Sequence, residues 1–208
     1  LKDSGITSPK GMEGHSYATW DMPIEQAIIK KVVTDDGGDY SKINLISTSV
    51  EDIKAALSSN IDSVWIYYAW DGIACELQGL DTNFFYFKDY SPELDDYSPV
   101  IIANNDFLKN NSEVAKKFMA ALSKGYDYAI ENPDDAAQIL VDANEGLDIE
   151  LCKKSQNWLA SQYKADADKW GVIDQKRWDA FYGWVYDNGL CEIDIPDGFG
   201  FSNDYLPE

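Results

Sequence analysis

The spacing of hydrophobic positions changes along the chain. In the first ninety residues short apolar runs alternate with helical stripes. His15 to Trp20 reads as a strand, and Pro23 to Val33 as a helix with Ile24, Ala27, Ile28 and Lys31 on one stripe, stopped by Gly37-Gly38. A second strand is expected over Ile43 to Ser47, then a short helix over Glu51 to Leu57 with Ile53, Ala56 and Leu57 inward. Ser63 to Tyr68 is apolar on both faces, as expected of a parallel strand covered by helices. Trp70 to Leu77 reads as a helix ended near Gly79, and Asn83 to Phe87 as a fourth strand. This alternation predicts a doubly wound α/β lobe with right-handed crossovers.

Around Asp89 to Pro99 the chain turns rich in Tyr, Ser, Pro and Asp, which suits a crossover. One more strand is expected at Val100 to Ala103, and almost everything after it is helical. Ala115, Phe118, Met119, Leu122, Tyr126, Ala129 and Ile130 hold a stripe over four turns. Asn132-Pro133-Asp134-Asp135 is a helix start, with Asn as cap and Ala136, Ile139, Leu140 and Ala143 inward. A last helix spans Asp174 to Tyr186, with Trp178, Phe181, Tyr182 and Val185 at core spacing and Asn188-Gly189 as its stop. One strand followed by several helices has no sheet of its own to cover. The expected division is therefore residues 1–14 as a crossover, 15–90 as an α/β lobe, 91–99 as a second crossover, and 100–208 as the strand and helices of another lobe, whose remaining strands would lie upstream of Leu1.

Composition narrows the function. Of 208 residues 45% are hydrophobic, enough for a sizeable core, while 17 Lys and Arg against 37 Asp and Glu leave a formal charge of -20. That balance disfavours nucleic acid, whose phosphates require clustered cations, and disfavours steering of anionic ligands. A neutral or cationic small molecule fits better. No apolar run approaches the roughly 20 residues of a membrane span. Cys75, Cys152 and Cys191 form no CxxC pair, and with the single His15 they make no recognisable zinc site. The paired acids Asp35-Asp36, Asp95-Asp96 and Asp134-Asp135 lack the spacing of a calcium loop, and neither a GxSxG elbow nor a phosphate loop is present. No catalytic residue, metal ligand or cofactor site is therefore assigned, and His15 is read as structural.

Two loops carry the same chemistry. In open α/β sheets ligands sit beyond the carboxyl ends of the strands. The first strand ends in Thr19-Trp20-Asp21, the third in Tyr68-Ala69-Trp70-Asp71-Gly72, and Glu25 lies in the first turn of the following helix. Each loop offers an aromatic face for a flat heterocycle and a carboxylate for its ring amines. Asp21 and Asp71 are also natural helix caps, a role compatible with ligand contact through the other oxygen. Trp65 and Tyr67 sit mid-strand and read as core.

The segments GHSYATWDMPIEQAIIKKVVTDDGGDYSKINLI, DSVWIYYAWDGIACELQGL and YSPVIIANNDFLKNNSEVAKKFMAALSKGYDYAIENPDDAAQIL, in this order, resemble bacterial ABC-transporter substrate-binding proteins that capture thiamine pyrimidine precursors, a family related to thiamine-pyrimidine synthases. The resemblance implies a periplasmic-binding-protein-like, Venus-flytrap fold of type II. It further implies hinge closure near residues 1–8 and 89–99, an ABC permease and cytoplasmic ATPase as partners, and export to the cell surface or periplasm, with lipid anchoring through a segment upstream of Leu1. Such relatives hold an aminopyrimidine by stacking and by a carboxylate on its ring nitrogens. Trp20, Tyr68 and Trp70 match the stacking aromatics, followed by Tyr67 and Tyr97. Relatives often carry an acid directly after the Gly-Ile of the third loop, where this chain has Ala74, which leaves Asp71, Glu76 or Glu25 to supply the charge. Fungal enzymes of the superfamily carry a cysteine-rich motif where this chain has Asp95-Asp96-Tyr97-Ser98-Pro99, so a synthase is the alternative, as is a riboflavin receptor on the same fold. A lobe lacking strands would also expose apolar surface, and self-association or a rearranged N-terminus is expected.

Overall fold

The computed structural model describes residues 1–207 and is a mixed α/β protein with a parallel sheet. By backbone contacts it divides into two units. One comprises residues 1–96 and 176–197; the other comprises residues 97–175 and the chain from Gly198 onward.

The first unit is built on three strands, β1 (Ser16–Thr19), β2 (Asn44–Ser47) and β3 (Ser63–Val64), in the order β2-β1-β3. β1 runs parallel to both neighbours, with Ser16 opposite Asn44, Thr19 opposite Ser47, and Ala18 opposite Val64. All four of its residues are buried, as a central strand covered on both faces requires. Helix α1 (Pro23–Asp35) links β1 to β2, and α2 (Ile53–Leu57) carries the chain back past β1 to β3. The strand order thus reverses at β1. Pro23 at the first position starts α1, and the Asp52 carboxylate caps α2 by accepting from the Ala55 amide.

Helix α1 presents Glu25, Ile28, Ile29, Val32 and Val33 to the interior, so its buried stripe is rotated from the expected one, with Ile24 and Ala27 at its margin. Ile29 and Val33 join Ile6, Met12, Tyr17 and Ile43, while Ile28 and Val32 meet Leu94, Trp184 and Val185. Ile6 and Met12 therefore place residues 1–14 in the body of the first unit rather than in a crossover. Trp184 and Val185 belong to α8 (Gln175–Asp187), which from Lys176 onward is part of this unit. Arg177 reinforces that placement, donating to the backbone carbonyls of Asp95 and Asp96 and pairing with the Asp95 carboxylate at 3.1 Å.

Three expected strands are not formed as predicted. β3 ends at Val64 instead of Tyr68, because Trp65 turns into the core and the Tyr67 amide is taken by the Asp71 side chain. Asn83 to Phe87 alternates as a strand would, Phe85 and Phe87 inward against the core and Phe84 and Tyr86 outward, but it has no ladder partner among the described residues. Val100 to Ala103 is likewise unpaired, and Ile102 is 87% exposed.

The second unit consists of α4 (Asn105–Asn110), α5 (Ser112–Glu131), α6 (Pro133–Ala143) and α7 (Ile149–Ala160), the last three packed against one another. Asn104 and Asp148 cap α4 and α7; neither helix is evident from periodicity alone. Asn132 does not cap α6. With no residue to spare after α5, its amide instead donates to the Tyr128 carbonyl. Ala115, Ala137 and Cys152 are buried, but Phe118, Ile139 and Leu140 are exposed, contrary to their inward assignment. No described helix is long and apolar enough to cross a membrane.

Replacing Trp184 with Ala is expected to lower the unfolding free energy by about 3 kcal/mol, the low end for a buried aromatic because its indole N–H has no hydrogen-bond partner among the described residues. Urea denaturation measures this, and a loss under about 0.5 kcal/mol would show that α8 does not complete the core.

Candidate functional site

Two turns leave the carboxyl edge of the sheet, one after β1 and one after β3, where the strand order reverses. In open parallel sheets such a reversal opens a crevice for ligands.

After β1 the chain runs Trp20-Asp21-Met22 into α1. Trp20 is 39% exposed, and Asp21 and Met22 also face solvent. Asp21 has a left-handed backbone with φ of 60°, unusual for a residue other than glycine. It does not cap α1; its amide donates to Thr19 Oγ1, and its carboxylate is only 3.5 Å from Gln26 Nε2. Glu25 is only 2% exposed and does not open onto the mouth. Its Oε1 accepts from the Tyr17 hydroxyl at 2.6 Å, and its Oε2 accepts from Thr19 Oγ1 at 3.0 Å and from the Trp20 amide at 2.9 Å. Burial, together with the Glu25 carboxylate, pushes the Tyr17 phenol above its usual range.

After β3 the backbone forms a π-helical turn over Tyr68–Gly72, which leads directly into α3 (Ile73–Leu77). Asp71 ties this turn back on itself, one carboxylate oxygen accepting from the Tyr67 amide at 3.0 Å while the other has no hydrogen bond among the described residues. Trp70 is 41% exposed and Tyr67 is 64% exposed, so Tyr67 is a surface residue and not core. Tyr68 is half-buried, and its hydroxyl donates to Glu76, which pushes the phenol up to about 12. Gly72 is needed here because a Cβ would lie 2.5 Å from the Tyr68 ring.

Aromatic contacts join the two turns to the core. Trp20 lies 5.6 Å from Trp65, and Trp65 stands edge-on to Phe87 at 4.5 Å. Trp65 is the ring neighbour of Trp20 among the described residues. Tyr68 packs on Phe84 at 4.7 Å, and Phe84 meets Tyr86 at 4.7 Å and a right angle. Phe84 and Tyr86 are half-exposed beside Tyr68 and were missed by a strand assignment for Asn83 to Phe87; the density of aromatics in Asn83-Phe84-Phe85-Tyr86-Phe87 is the available signal. Tyr97 lies in the second unit, where its hydroxyl accepts from the Asp174 amide.

None of Asp21, Glu25, Asp71 and Glu76 takes part in an ion pair with Lys or Arg among the described residues. No described cluster of His, Cys, Asp and Glu could hold a metal ion. His15 Nδ1 lies 3.4 Å from Asp62 at the opposite end of β1. There the Ser16 amide and hydroxyl hold the Asp62 carboxyl below its usual range. The rim after β1 and β3 can therefore offer flat aromatic faces and unneutralised acceptors, which suits a planar ligand rich in N–H donors.

Comparison with known proteins bears on the same residues. The family model described as NMT1/THI5 like matches residues 1–136, a span that includes both turns. The chain belongs to the NMT1/THI5-like family. It is also 27% identical over 191 residues to a formylaminopyrimidine-binding protein of Halalkalibacterium halodurans, an alignment covering 89% of this chain and 57% of that protein. The chain thus spans little more than half the length of the curated relative it matches.

Two outcomes follow for this NMT1/THI5-like site. Gly72→Ala should displace the Tyr68 ring and cost about 1–3 kcal/mol by overpacking, measured by urea denaturation, whereas an unchanged stability would mean that the turn absorbs the methyl. The raised phenol of Tyr68 retains its proton in the folded state after the unfolded chain has lost it. Stability should therefore be full below pH 10 and fall as pH rises toward 12. Thermal melts across that range should show a shallower alkaline loss for Glu76→Gln, and identical slopes would contradict the assignment.

Proposed function

We propose that the chain is the ligand-recognising part of a solute-binding protein that captures an aminopyrimidine thiamine precursor of the formylaminopyrimidine or hydroxymethylpyrimidine kind. The observation that carries this reading is the pairing of exposed indoles with carboxylates free of counter-ions on two turns at one edge of the sheet. Trp20, Tyr68 and Trp70 provide stacking surfaces, with Tyr67 at the rim. The oxygen of Asp71 not bound to Tyr67 accepts from the ring amine, with Asp21 as a second acceptor. Glu76 acts through Tyr68. The name of the Halalkalibacterium halodurans relative supports this ligand class. A high charge of the same sign as the site explains why the ligand is not an anion, since bringing like charges together in a desolvated site is costly.

The whole protein acts by capture without bond chemistry, by hinge closure that ligand binding favours, and by delivery, outside the cytoplasmic membrane, to an ABC permease driven by a cytoplasmic ATPase. Neither a synthase nor a riboflavin receptor is favoured by a particular feature of the site.

Isothermal calorimetry of the full chain with the formylated aminomethylpyrimidine, hydroxymethylpyrimidine, thiamine and riboflavin tests the ligand class. Binding of a pyrimidine is expected, with Trp70→Ala weakening it roughly tenfold and Asp71→Asn by roughly tenfold to a hundredfold. No heat from any pyrimidine, or heat from riboflavin alone, would overturn the reading.

A further inference from the structure

Glu25 places its carboxyl group in the interior of the first unit, with no Lys or Arg ion pair among the described residues. Burying such a group costs several kcal/mol unless hydrogen bonds replace its water. A helix N-terminus favours it, since it lies in the first turn of α1, but the bonds it accepts are specific. Of its three donors, the Trp20 amide belongs to the turn itself and the Thr19 hydroxyl to the residue of β1 that opens it. The Thr19 hydroxyl then accepts from the Asp21 amide at 3.0 Å, so one proton-ordered chain runs from Asp21 through Thr19 to Glu25. Thr19 is anchored in turn by its carbonyl, which accepts from the Thr48 amide just beyond β2. Asp21 occupies its left-handed conformation within this frame, a geometry that persists only where surrounding bonds over-determine it.

We propose that Glu25 is a positioning residue, which does not touch ligand but holds the Trp20-Asp21 turn in the shape that presents indole and carboxylate to it. The proposal rests on the pyrimidine-receptor reading and assigns to the buried acid a pre-organising role. Without it the amides of Trp20 and Asp21 would be free to seek water, Asp21 would relax toward negative φ, and the ligand would have to order the turn on binding. A site ordered in advance avoids that cost. The same logic explains why an acid stands at a position where a helical stripe would be apolar.

The test uses the full chain and four variants. Glu25→Ala and Thr19→Val remove the frame. Glu25→Gln keeps one oxygen for the Trp20 amide and Thr19 hydroxyl. Ser16→Ala strips buried polar contacts at the other end of β1 and so controls for lost stability. Calorimetry with the formylated aminomethylpyrimidine should show affinity on the order of tenfold weaker for Glu25→Ala and Thr19→Val. It should stay within about threefold of the parent for Glu25→Gln and Ser16→Ala. Affinity that tracks thermal stability alone, with Ser16→Ala as weak as Thr19→Val, would overturn the proposal. Amide exchange read by NMR separates this result from failure of the receptor reading. If the parent binds no pyrimidine, that reading fails, and exchange decides the positioning role. The Trp20 and Asp21 amides should exchange at least about tenfold faster in Glu25→Ala while the α1 amides stay protected. Unchanged exchange at Trp20 and Asp21 would overturn it.

Discussion

Three donors converge on the Glu25 carboxyl group, which has no counter-ion among the described residues, and the loop after β1 takes its form from that convergence. Solvation lost on burial is replaced bond by bond by Tyr17, Thr19 and the Trp20 backbone. Because β1 is the central strand and the point where strand order reverses, whatever follows it stands at the edge where such sheets place ligands. A rigid centre thus carries an exposed indole and an exposed acid outward on a turn with little freedom of its own. The turn after β3 meets the same requirement differently, through an Asp71 carboxylate folded back onto the Tyr67 amide and a glycine whose lack of a Cβ leaves room for the Tyr68 ring.

The parallel arrangement follows from the same economy. A two-residue β3 contributes few ladder bonds, so aromatic packing holds the segment that follows it: Trp65 bridges the two clusters of core residues and supports Trp20 from beneath. Phe84, Tyr86 and Tyr68 form a second aromatic group whose half-exposed rings extend the apolar surface at this edge. Stacking surfaces and acceptors are therefore supplied by segments that the core itself fixes. In a protein of net charge -20 the carboxylates there have no Lys or Arg ion-pair partner among the described residues, which on the proposed reading leaves them to accept from the ligand's donors.

Much of this was legible from residue order. The alternation of Ser16–Thr19, α1, β2 and α2 was readable because each element carries its own periodicity or stop signal, such as Pro23 at the start of α1 and Gly37 beyond its end. The Trp20-Asp21 and Trp70-Asp71 turns were readable because aromatics beside acids at strand ends are chemically distinctive. Strand pairing was not. Val100 to Ala103 and Asn83 to Phe87 have the composition of strands, but a strand exists only with a partner, and no local pattern reports one. Likewise the burial of Glu25 follows from three-dimensional donors, two of them from β1 and one from the turn, that periodicity ranks below an apolar neighbour. The packing of α8 with the first unit depends on contacts over some 80 residues of sequence, which a stripe of Trp178, Phe181, Tyr182 and Val185 cannot reveal.

The central claim is that the two turns after β1 and β3 receive one planar, hydrogen-donating heterocycle. A crystal structure of the full chain grown with the formylated aminomethylpyrimidine tests it most directly. The account predicts the pyrimidine ring stacked on an indole of Trp20 or Trp70, with its exocyclic amine donating to the Asp71 oxygen that Tyr67 leaves unused. A ligand bound away from both turns, or bound there with no carboxylate in contact, would contradict it.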